Sequence, residues 1–196
     1  LELGHWHRTF VRFSRWRETG VWARVATTLR GDADLEHLFI DSTIDVPTSL
    51  GRRQKKAGFQ EIGRSRGGLT TKLHVAVDAL GNPVRVILSA GQISDIEQAE
   101  ALIKDQPAEF VIADKGYDSD AFVQTIAAQG SQAVIPPRSN RINQRTFDRH
   151  IYKDRNLIER FFCRIKQFRR IATRYDKLAQ SFLSFVHLAC AFVWPA

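Results

Sequence analysis

Residues 152–166 read YKDRNLIERFFCRIK, and we take this stretch as the element around which the fold is arranged. At about 100° per residue, a helix here gathers four polar side chains within an arc of roughly 60°. These four are Tyr152, Arg155, Glu159 and Lys166. The opposite side of the helix is apolar and carries Leu157, Ile158, Phe161, Phe162, Ile165 and Phe168. One acid therefore lies among cations on the face turned away from the core. From the helix alone, a solvated face and a functional face are equally good interpretations.

The composition predicts a globular protein with a polyanionic partner. The chain has 196 residues, of which 43% are hydrophobic, enough for one domain with a buried core. Its 29 Lys and Arg against 21 Asp and Glu give a formal charge of +8 and a pI near 9.9. This surplus favours nucleic acid over an anionic membrane, because the longest apolar stretch, 182–194, is shorter than the ~20 residues of a spanning helix.

Two features are missing from the sequence, a signal peptide and methionine, and both bear on where the protein acts and how it arose. No leading segment has the order of a signal peptide, which predicts a cytoplasmic protein, associated with the nucleoid through its partner. The sequence contains no methionine, which leaves a fragment, the product of a second reading frame and a translated remnant all open. Cys163 and Cys190 are isolated among apolar neighbours, which predicts buried thiols rather than a disulfide or a metal site.

The first part of the chain, residues 1–34, is rich in aromatic residues and arginine. Trp6, Phe10 and Phe13 recur at helical spacing, which predicts one or two amphipathic helices. We favour a helical pair packed on the main domain over an autonomous DNA reader, because a complete helix-turn-helix needs more chain upstream.

Two apolar segments carry acids that have no local explanation. The run 38–44 predicts a β-strand with Asp41 in its middle, and an unpaired buried carboxylate is costly. The run 110–113 predicts a strand that ends at Asp114, and the carboxyl end of a central strand is where open α/β sheets place their chemistry. Asp45, shortly before a proline, is interpreted as a turn residue.

The remaining patterns predict an alternation of strands and helices. The strands are predicted at 71–78 and 83–89, as a hairpin, and at 133–135. The helices are predicted at 93–105, 120–129 and 175–194, the last one closing the fold. His74, in the hairpin, is interpreted as a satisfied structural residue.

The segment 47–72 differs abruptly in charge from its neighbours. Seven cations oppose a single acid, Glu61, and five glycines are interspersed. We predict a flexible basic loop that contacts DNA phosphates, with a solvated linker as the alternative. Its cations are Arg52, Arg53, Lys55, Lys56, Arg64, Arg66 and Lys72.

Four motifs in this order resemble those of bacterial insertion-sequence transposases of the Asp-Asp-Glu type, in the insertion-sequence-five group. The motifs are Ile40–Thr43, Gly63–Lys72, Ala113–Asp118, and the spaced Tyr152, Arg155, Glu159 and Lys166. The resemblance covers residues 5–194. Asp-Ser-Thr alone is a weak motif, Asp-Lys-Gly-Tyr-Asp is moderate, and the spaced residues are strong when they follow the other two. The amino end is shorter than is usual in the family, and the residues after Asp41 lack the histidine of some relatives.

The resemblance implies an α/β fold, namely an RNase H-like mixed sheet flanked by helices, with a short N-terminal helical segment. It implies that residues 1–34 are the remnant of an N-terminal DNA-binding region. Residues 35–196 are then an RNase H-like catalytic domain, with a basic loop at 47–72 and a closing helix at 175–194.

The resemblance also implies the site. Asp41, Asp114 and Glu159 match the catalytic, metal-binding triad, and the implied cofactors are two divalent ions, Mg2+ with Mn2+ as a substitute. The accessory positions expected to bind DNA are Tyr152, Arg155 and Lys166.

The implied activity is cleavage of DNA at the ends of an insertion sequence, followed by transfer of the 3′-hydroxyl end into target DNA. The implied partners are the terminal inverted repeats, target DNA and a second copy of the chain in synapsis, with no membrane. Two alternatives stay open: a truncated, non-catalytic DNA-binding remnant, and an RNase H-like nuclease without strand transfer.

Overall fold

The structure is a computed structural model that describes residues 5–29, 33–47 and 58–194. Eight helices lie in these ranges, together with 3-10 turns at Lys115–Tyr117 and Lys153–Arg155. The helices are α1 (Trp6–Glu18), α2 (Val21–Leu29), α3 (Ile96–Ile103), α4 (Asp120–Ala128), α5 (Arg149–Tyr152), α6 (Asn156–Ile165), α7 (Arg169–Ala172) and α8 (Ala179–Val193).

A mixed sheet forms the centre of the molecule. The strands β1 (His37–Pro47), β3 (Gly68–Val77) and β4 (Pro83–Ala90) are antiparallel neighbours. On the other side of β1, the strands β5 (Phe110–Ile112) and β6 (Gln132–Val134) run parallel to it. The spatial order β4-β3-β1-β5-β6 is that of an RNase H-like sheet. The predicted fold class is therefore confirmed.

The two faces of the sheet bury two apolar clusters. Because side chains alternate along β1, Phe39 and Asp41 point to one face, and Leu38 and Ile40 to the other. The first face packs on α6 and α8, with buried residues that include Phe161 and Phe182. The second face packs on α3 and α4, with buried residues that include Leu102 and Phe122. Asp41 thus projects from the face that carries α6.

The basic segment was predicted as one loop over 47–72, and for its described part this prediction is wrong. The strand β2 (Gly63–Ser65) pairs with the beginning of β3, so Arg66 and Gly67 form a two-residue hairpin turn. Gly68 follows the turn with a φ of +101°, which favours glycine. Main-chain pairing does not depend on side-chain charge, so a highly cationic segment still forms strands.

The other predicted boundaries are mostly correct. The helix predicted over 152–166 has a 3-10 turn in place of its first full turn, and α5 precedes it. The closing helix begins at Ala179 rather than at 175, because the carbonyls of Asp176 and Lys177 accept hydrogen bonds from Arg174.

Two smaller predictions about side-chain positions are wrong. Cys163 is exposed, whereas Cys190 is buried as expected. Asp45 is not a turn residue: β1 continues to Pro47, where it pairs with β7 (Thr173–Arg174), and Asp45 is fully buried.

The N-terminal helices form a pair against the closing helix. Trp16 of α1 and Trp22 of α2 are in edge-to-face contact at 5.1 Å, and Arg17 donates a 2.7 Å hydrogen bond to Ser181 of α8. The packed helical pair is therefore confirmed, whereas its origin as a DNA-binding remnant stays a prediction. Within the described ranges, no helix is long and apolar enough to cross a membrane.

Candidate active site

The three carboxylates predicted as catalytic come from three separate elements. Asp41 lies in the middle of β1, Asp114 directly follows β5, and Glu159 lies on α6. Arg155, in the 3-10 turn before α6, connects two of them. Its guanidinium donates a 2.9 Å hydrogen bond to Oδ2 of Asp41 and forms an ion pair with Glu159 one helical turn further on.

Of the two acids that pair with Arg155, Asp41 is the more buried. Its side chain is 22% exposed, against 56% for Glu159. Burial raises the pKa of Asp41, the amide of Ser42 and the Arg155 cation lower it, and the charges of Asp114 and Asp95 raise it again. The pKa is raised overall, because the effect of burial exceeds the opposing effects of Ser42 and Arg155.

Asp114 also acts electrostatically on Arg155, as the pKa of this arginine shows. Burial lowers the pKa of Arg155, but Asp41, Tyr152, Glu159 and Asp114 all act to raise it, and the pKa is raised overall. All three predicted catalytic acids are therefore within electrostatic reach of one guanidinium.

Asp114 is held by the turn that follows it. Its Oδ1 accepts a 2.8 Å hydrogen bond from the amide of Gly116. A Cβ atom at Gly116 would lie 2.8 Å from that same oxygen, so glycine permits the close approach. The Asp-Lys-Gly-Tyr sequence thus fixes the carboxylate at the carboxyl end of β5.

The predicted accessory residues surround the acids. The guanidinium of Arg155 lies 5.9 Å from the ring centre of Tyr152, and Phe147 contacts the same ring edge-to-face. Lys166, at the end of α6, donates a hydrogen bond to Oγ1 of Thr43. The structure therefore brings Tyr152, Arg155 and Lys166 to the face of β1 that carries Asp41.

Sequence reasoning missed the continuation of this face along β1. Thr43 and Asp45 follow Asp41 at intervals of two, so all three point to the same side. Asp45 is fully buried, and among the described residues its carboxylate oxygens have no hydrogen-bond partner. Burial raises its pKa to about 7, against the attraction of Lys166 and Arg174. The period-two spacing of 41, 43 and 45 was the available signal.

The predicted DNA-binding cations divide into three groups. Arg64 and Arg66 are exposed on the β2-β3 hairpin, which extends beyond the carboxyl end of β1 and so lies at the same edge of the sheet as Asp114. Lys72 is only 15% exposed, and its ammonium bonds to the carbonyl of Ile93 at 2.8 Å and to Asp95 at 3.1 Å. The residues Arg52, Arg53, Lys55 and Lys56 lie outside the described residues.

Tyr117 and His74 are buried polar groups near the acids. Burial raises the pKa of Tyr117, as do the charges of Asp95, Asp41 and Asp114, and its hydroxyl has no hydrogen-bond partner among the described residues. The Nε2 atom of His74 lies 2.7 Å from Oγ of Ser89, and burial lowers the histidine pKa to about 4.

Hard oxygen ligands of the kind that Mg2+ prefers are present at this cluster. Within the described ranges, no three His, Cys, Asp or Glu side chains are preassembled as a metal site. Instead, a guanidinium cation lies between the carboxylates of Asp41 and Glu159, with Asp114 within electrostatic reach. The carboxylate oxygens of these three acids therefore fit a divalent cation by their donor chemistry.

The strand order, with one acid in the middle of β1 and another directly after β5, defines an RNase H-like protein. The sequence profile of the family described as "Transposase DDE domain" matches residues 32–194. The chain therefore belongs to this family of Asp-Asp-Glu transposases. The process that it serves is DNA transposition. Its place in the insertion-sequence-five group stays a prediction.

Two relatives carry names from the same class. A protein of Brucella ovis, named as a transposase for insertion sequence element IS6501, is 41% identical over 130 residues, which cover 64% of this chain and 98% of the relative. A protein of Burkholderia cepacia, named as a transposase for insertion sequence element IS402, is 27% identical over 150 residues, covering 70% of this chain and 68% of the relative. Together with the family match, these relatives make this chain a bacterial insertion-sequence transposase.

Solved structures that resemble this chain are also transposases. A piggyBac transposase in a synaptic complex with hairpin DNA has a TM-score of 0.49 and 12% identity, and the match covers 81% of this chain and 45% of that one. A Mos1 transposase in a paired-end complex with the left transposon end has a TM-score of 0.34 and 13% identity, with 91% and 59% covered. The chain thus spans about half the length of these proteins.

Proposed function

We propose that this chain cleaves DNA at the ends of its insertion sequence and transfers the resulting 3′-hydroxyl end into target DNA. The observation that carries the proposal is the meeting of three acids from three elements around Arg155. Such a cluster is costly unless cations neutralise it, and a phosphodiester substrate brings further negative charge. Family membership supports the same reading, because transposases of this type use divalent metal ions.

The carboxylates of Asp41, Asp114 and Glu159 are the groups proposed to hold two divalent ions, Mg2+ or in its place Mn2+. When bound, such ions stabilise the negative charge that develops on the attacking and leaving oxygens of an in-line displacement. Asp41 is central, because Arg155 bonds it and because the charge of Asp114 contributes to its raised pKa.

The basic residues hold the DNA. Arg155 and Lys166 lie on the face of β1 that carries Asp41, and we assign them to the phosphates beside the scissile bond. Tyr152, whose ring packs beside Arg155, orients a phosphate or the attacking water. Arg64 and Arg66 contact phosphates further along the duplex, at the same edge of the sheet. Lys72 is bonded to Ile93 and Asp95, so we assign it to the support of β3 rather than to DNA.

One arrangement serves both chemical steps. In the first, a water oxygen attacks phosphorus and the bond to the 3′ oxygen breaks, which leaves a 3′-hydroxyl and a 5′-phosphate. In the second, that 3′-hydroxyl attacks a target phosphodiester, forms a new phosphodiester bond and releases a target 3′-hydroxyl. The nucleophile differs between the steps, whereas the charge on the reacting phosphate does not. The homodimer in synapsis and the nucleoid location stay predictions.

The test is an assay with DNA that carries the terminal inverted repeats of the encoding element. With Mg2+ or Mn2+, the purified protein should nick this DNA and join it to a target. Asp41→Asn, Asp114→Asn and Glu159→Gln should each abolish both products while DNA binding is retained. Asp105→Asn is the matched control, since Asp105 is an exposed acid whose φ of 57° asparagine tolerates.

The outcomes separate the alternatives. Nicking without any joined product would favour a nuclease without strand transfer. DNA binding with no nicking by the full-length protein, in a range of salt and metal concentrations, would favour a non-catalytic remnant. Full activity of Glu159→Gln would remove Glu159 from the site.

A further inference from the structure

Asp95 lies behind the proposed active site, on the opposite face of the sheet from Arg155. Its Oδ1 accepts a 2.7 Å hydrogen bond from the hydroxyl of Ser42 and a 3.1 Å hydrogen bond from the ammonium of Lys72. The Nδ1 atom of His74, which pairs across the strands with Ser42, lies 3.8 Å from the same oxygen. Three residues of the central strands therefore converge on one carboxylate.

Ser42 connects this carboxylate to the proposed catalytic acid. The amide of Ser42 donates a 2.7 Å hydrogen bond to Oδ1 of Asp41, and the hydroxyl of Ser42 donates to Asp95. The amide of Ser42 thus orients Asp41, and the side chain of Ser42 is held in place by Asp95.

The local helix does not require the Asp95 carboxylate. Asp95 occupies the position before α3 where an acid usually caps the helix, yet its side chain makes no capping hydrogen bond. Instead, Ser94 donates two hydrogen bonds to Oε1 of Glu97 at this helix start, one of 3.0 Å from its amide and one of 2.8 Å from its hydroxyl. The carboxylate of Asp95 is therefore turned away from its own helix and toward β1.

We propose that Asp95 is a positioning residue that acts through Ser42 to hold the Asp41 carboxylate in its metal-binding orientation. This inference rests on the proposed function of Asp41. The charge of Asp95 also contributes to the raised pKa of Asp41, in agreement with their proximity. When a residue that orients a metal ligand without touching the metal is removed, metal affinity commonly falls by roughly 10- to 100-fold.

The test measures binding of Mn2+ to the full chain without DNA, by the loss of the free-ion signal in electron paramagnetic resonance. Asp95→Ala and Ser42→Ala should each weaken Mn2+ binding by about 10-fold. The double variant should bind no more weakly than either single variant, because both side chains act in one chain of contacts. Asp95→Asn keeps an oxygen that accepts from Ser42, so it should bind within about twofold of the unaltered protein.

Control variants keep the outcomes distinguishable. Glu97→Gln, an exposed carboxylate two positions further on, should leave Mn2+ affinity unchanged. Wild-type affinity in Asp95→Ala or Ser42→Ala, additive losses, or an Asp95→Asn variant as weak as Asp95→Ala would overturn the inference. If Asp95→Ala does not fold, as judged by circular dichroism, then Ser42→Ala and Asp95→Asn decide the question. Failure of the unaltered protein to bind Mn2+, or full binding by Asp41→Asn, overturns the proposed function and this inference with it.

Discussion

The guanidinium of Arg155 donates a 2.9 Å hydrogen bond to Oδ2 of Asp41, across a separation of 114 positions in the chain. The two side chains are 20% and 22% exposed, so the pair is shielded from most of the solvent. The same guanidinium forms an ion pair with Glu159. Arg155 therefore neutralises the carboxylates that are proposed to hold metal ions, and a bound cation and Arg155 compensate the same negative charge.

Arg155→Ala should destabilise the protein without metal and make it more responsive to metal. Removal of the guanidinium leaves the partly buried Asp41 carboxylate without its cation, which costs about 2 kcal/mol of unfolding free energy. Mn2+ should recover most of this loss, because it neutralises the same acids. Urea unfolding with Mn2+ and with a chelator measures both effects.

Arg160→Ala is the matched control, since Arg160 is an exposed arginine of α6, the helix that directly follows Arg155. Its unfolding free energy should be close to that of the unaltered protein in both conditions. An equal response of both variants to Mn2+ would contradict the prediction.

Asp45→Asn should stabilise the protein at alkaline pH. Burial raises the pKa of Asp45 from the ordinary value of 3.8 to about 7, so between these values the folded state binds more protons than the unfolded state. Asp45 therefore makes stability fall as pH rises through this window, and the cost is complete above pH 7. The shift corresponds to at most about 4 kcal/mol, and an isosteric amide should recover about 2 to 4 kcal/mol at pH 8.

Urea unfolding at a series of pH values checks this prediction, with the difference between variant and unaltered protein as the readout. That difference removes the opposing effect of His74, whose lowered pKa makes stability rise with pH between about 4 and 6.5. Glu109→Gln, at an exposed acid, should show no such difference. An Asp45→Asn curve parallel to that of the unaltered protein would show that Asp45 stays charged in the folded state.

Features set by neighbouring residues could be predicted from the sequence, whereas contacts between distant segments could not. Asp41 and Asp114 could be selected as candidate site residues because each interrupts or ends an apolar run. The extent of β1 could not be predicted, because its last residues are held by pairing with β3 and β7, which are distant in sequence. Asp45 therefore looked like a turn residue before a proline, although cross-strand pairing buries it.

The same reason explains why the surroundings of the acids were missed. The high charge of the segment 47–72 favoured the prediction of a loop, although main-chain hydrogen bonds pair β2 with β3 in a hairpin. Asp95 has the sequence context of a helix cap, and only the packing of α3 against the sheet shows that its carboxylate bonds to Ser42. A contact between distant segments leaves no periodic signal in either segment.

Gly91→Ala should be strongly destabilising, because this glycine sets the path of the chain that leads to Asp95. A Cβ atom at Gly91 would lie 1.8 Å from Oγ1 and 2.9 Å from the carbonyl oxygen of Thr70. The amide of Gly91 also donates to that carbonyl, so the two segments cannot separate without the loss of a hydrogen bond. We expect a loss of about 2 to 3 kcal/mol in urea unfolding.

Gly67→Ala is the control for Gly91→Ala, because the nearest atom to its added Cβ, Oγ of Ser65, is 3.9 Å away. If the segment after Gly91 positions Asp95, Gly91→Ala should also weaken Mn2+ binding in the protein that remains folded. Equal stability of the two variants would show that the sheet accommodates the added methyl group at Gly91.

The double variant Arg64→Ala, Arg66→Ala should bind DNA more weakly and with less dependence on salt. Each phosphate contact that is lost lowers the slope of log K against log salt concentration by about 0.9 for duplex DNA, so the slope should fall by about 2. The loss should be similar for terminal-repeat and unrelated sequences, because phosphate contacts carry no base information. Lys104→Ala is the control, since Lys104 lies beside Pro107 at the opposite edge of the sheet, before β5. Fluorescence anisotropy over a salt series measures the slopes, and a double variant with the slope of the unaltered protein would show that the hairpin does not contact the DNA.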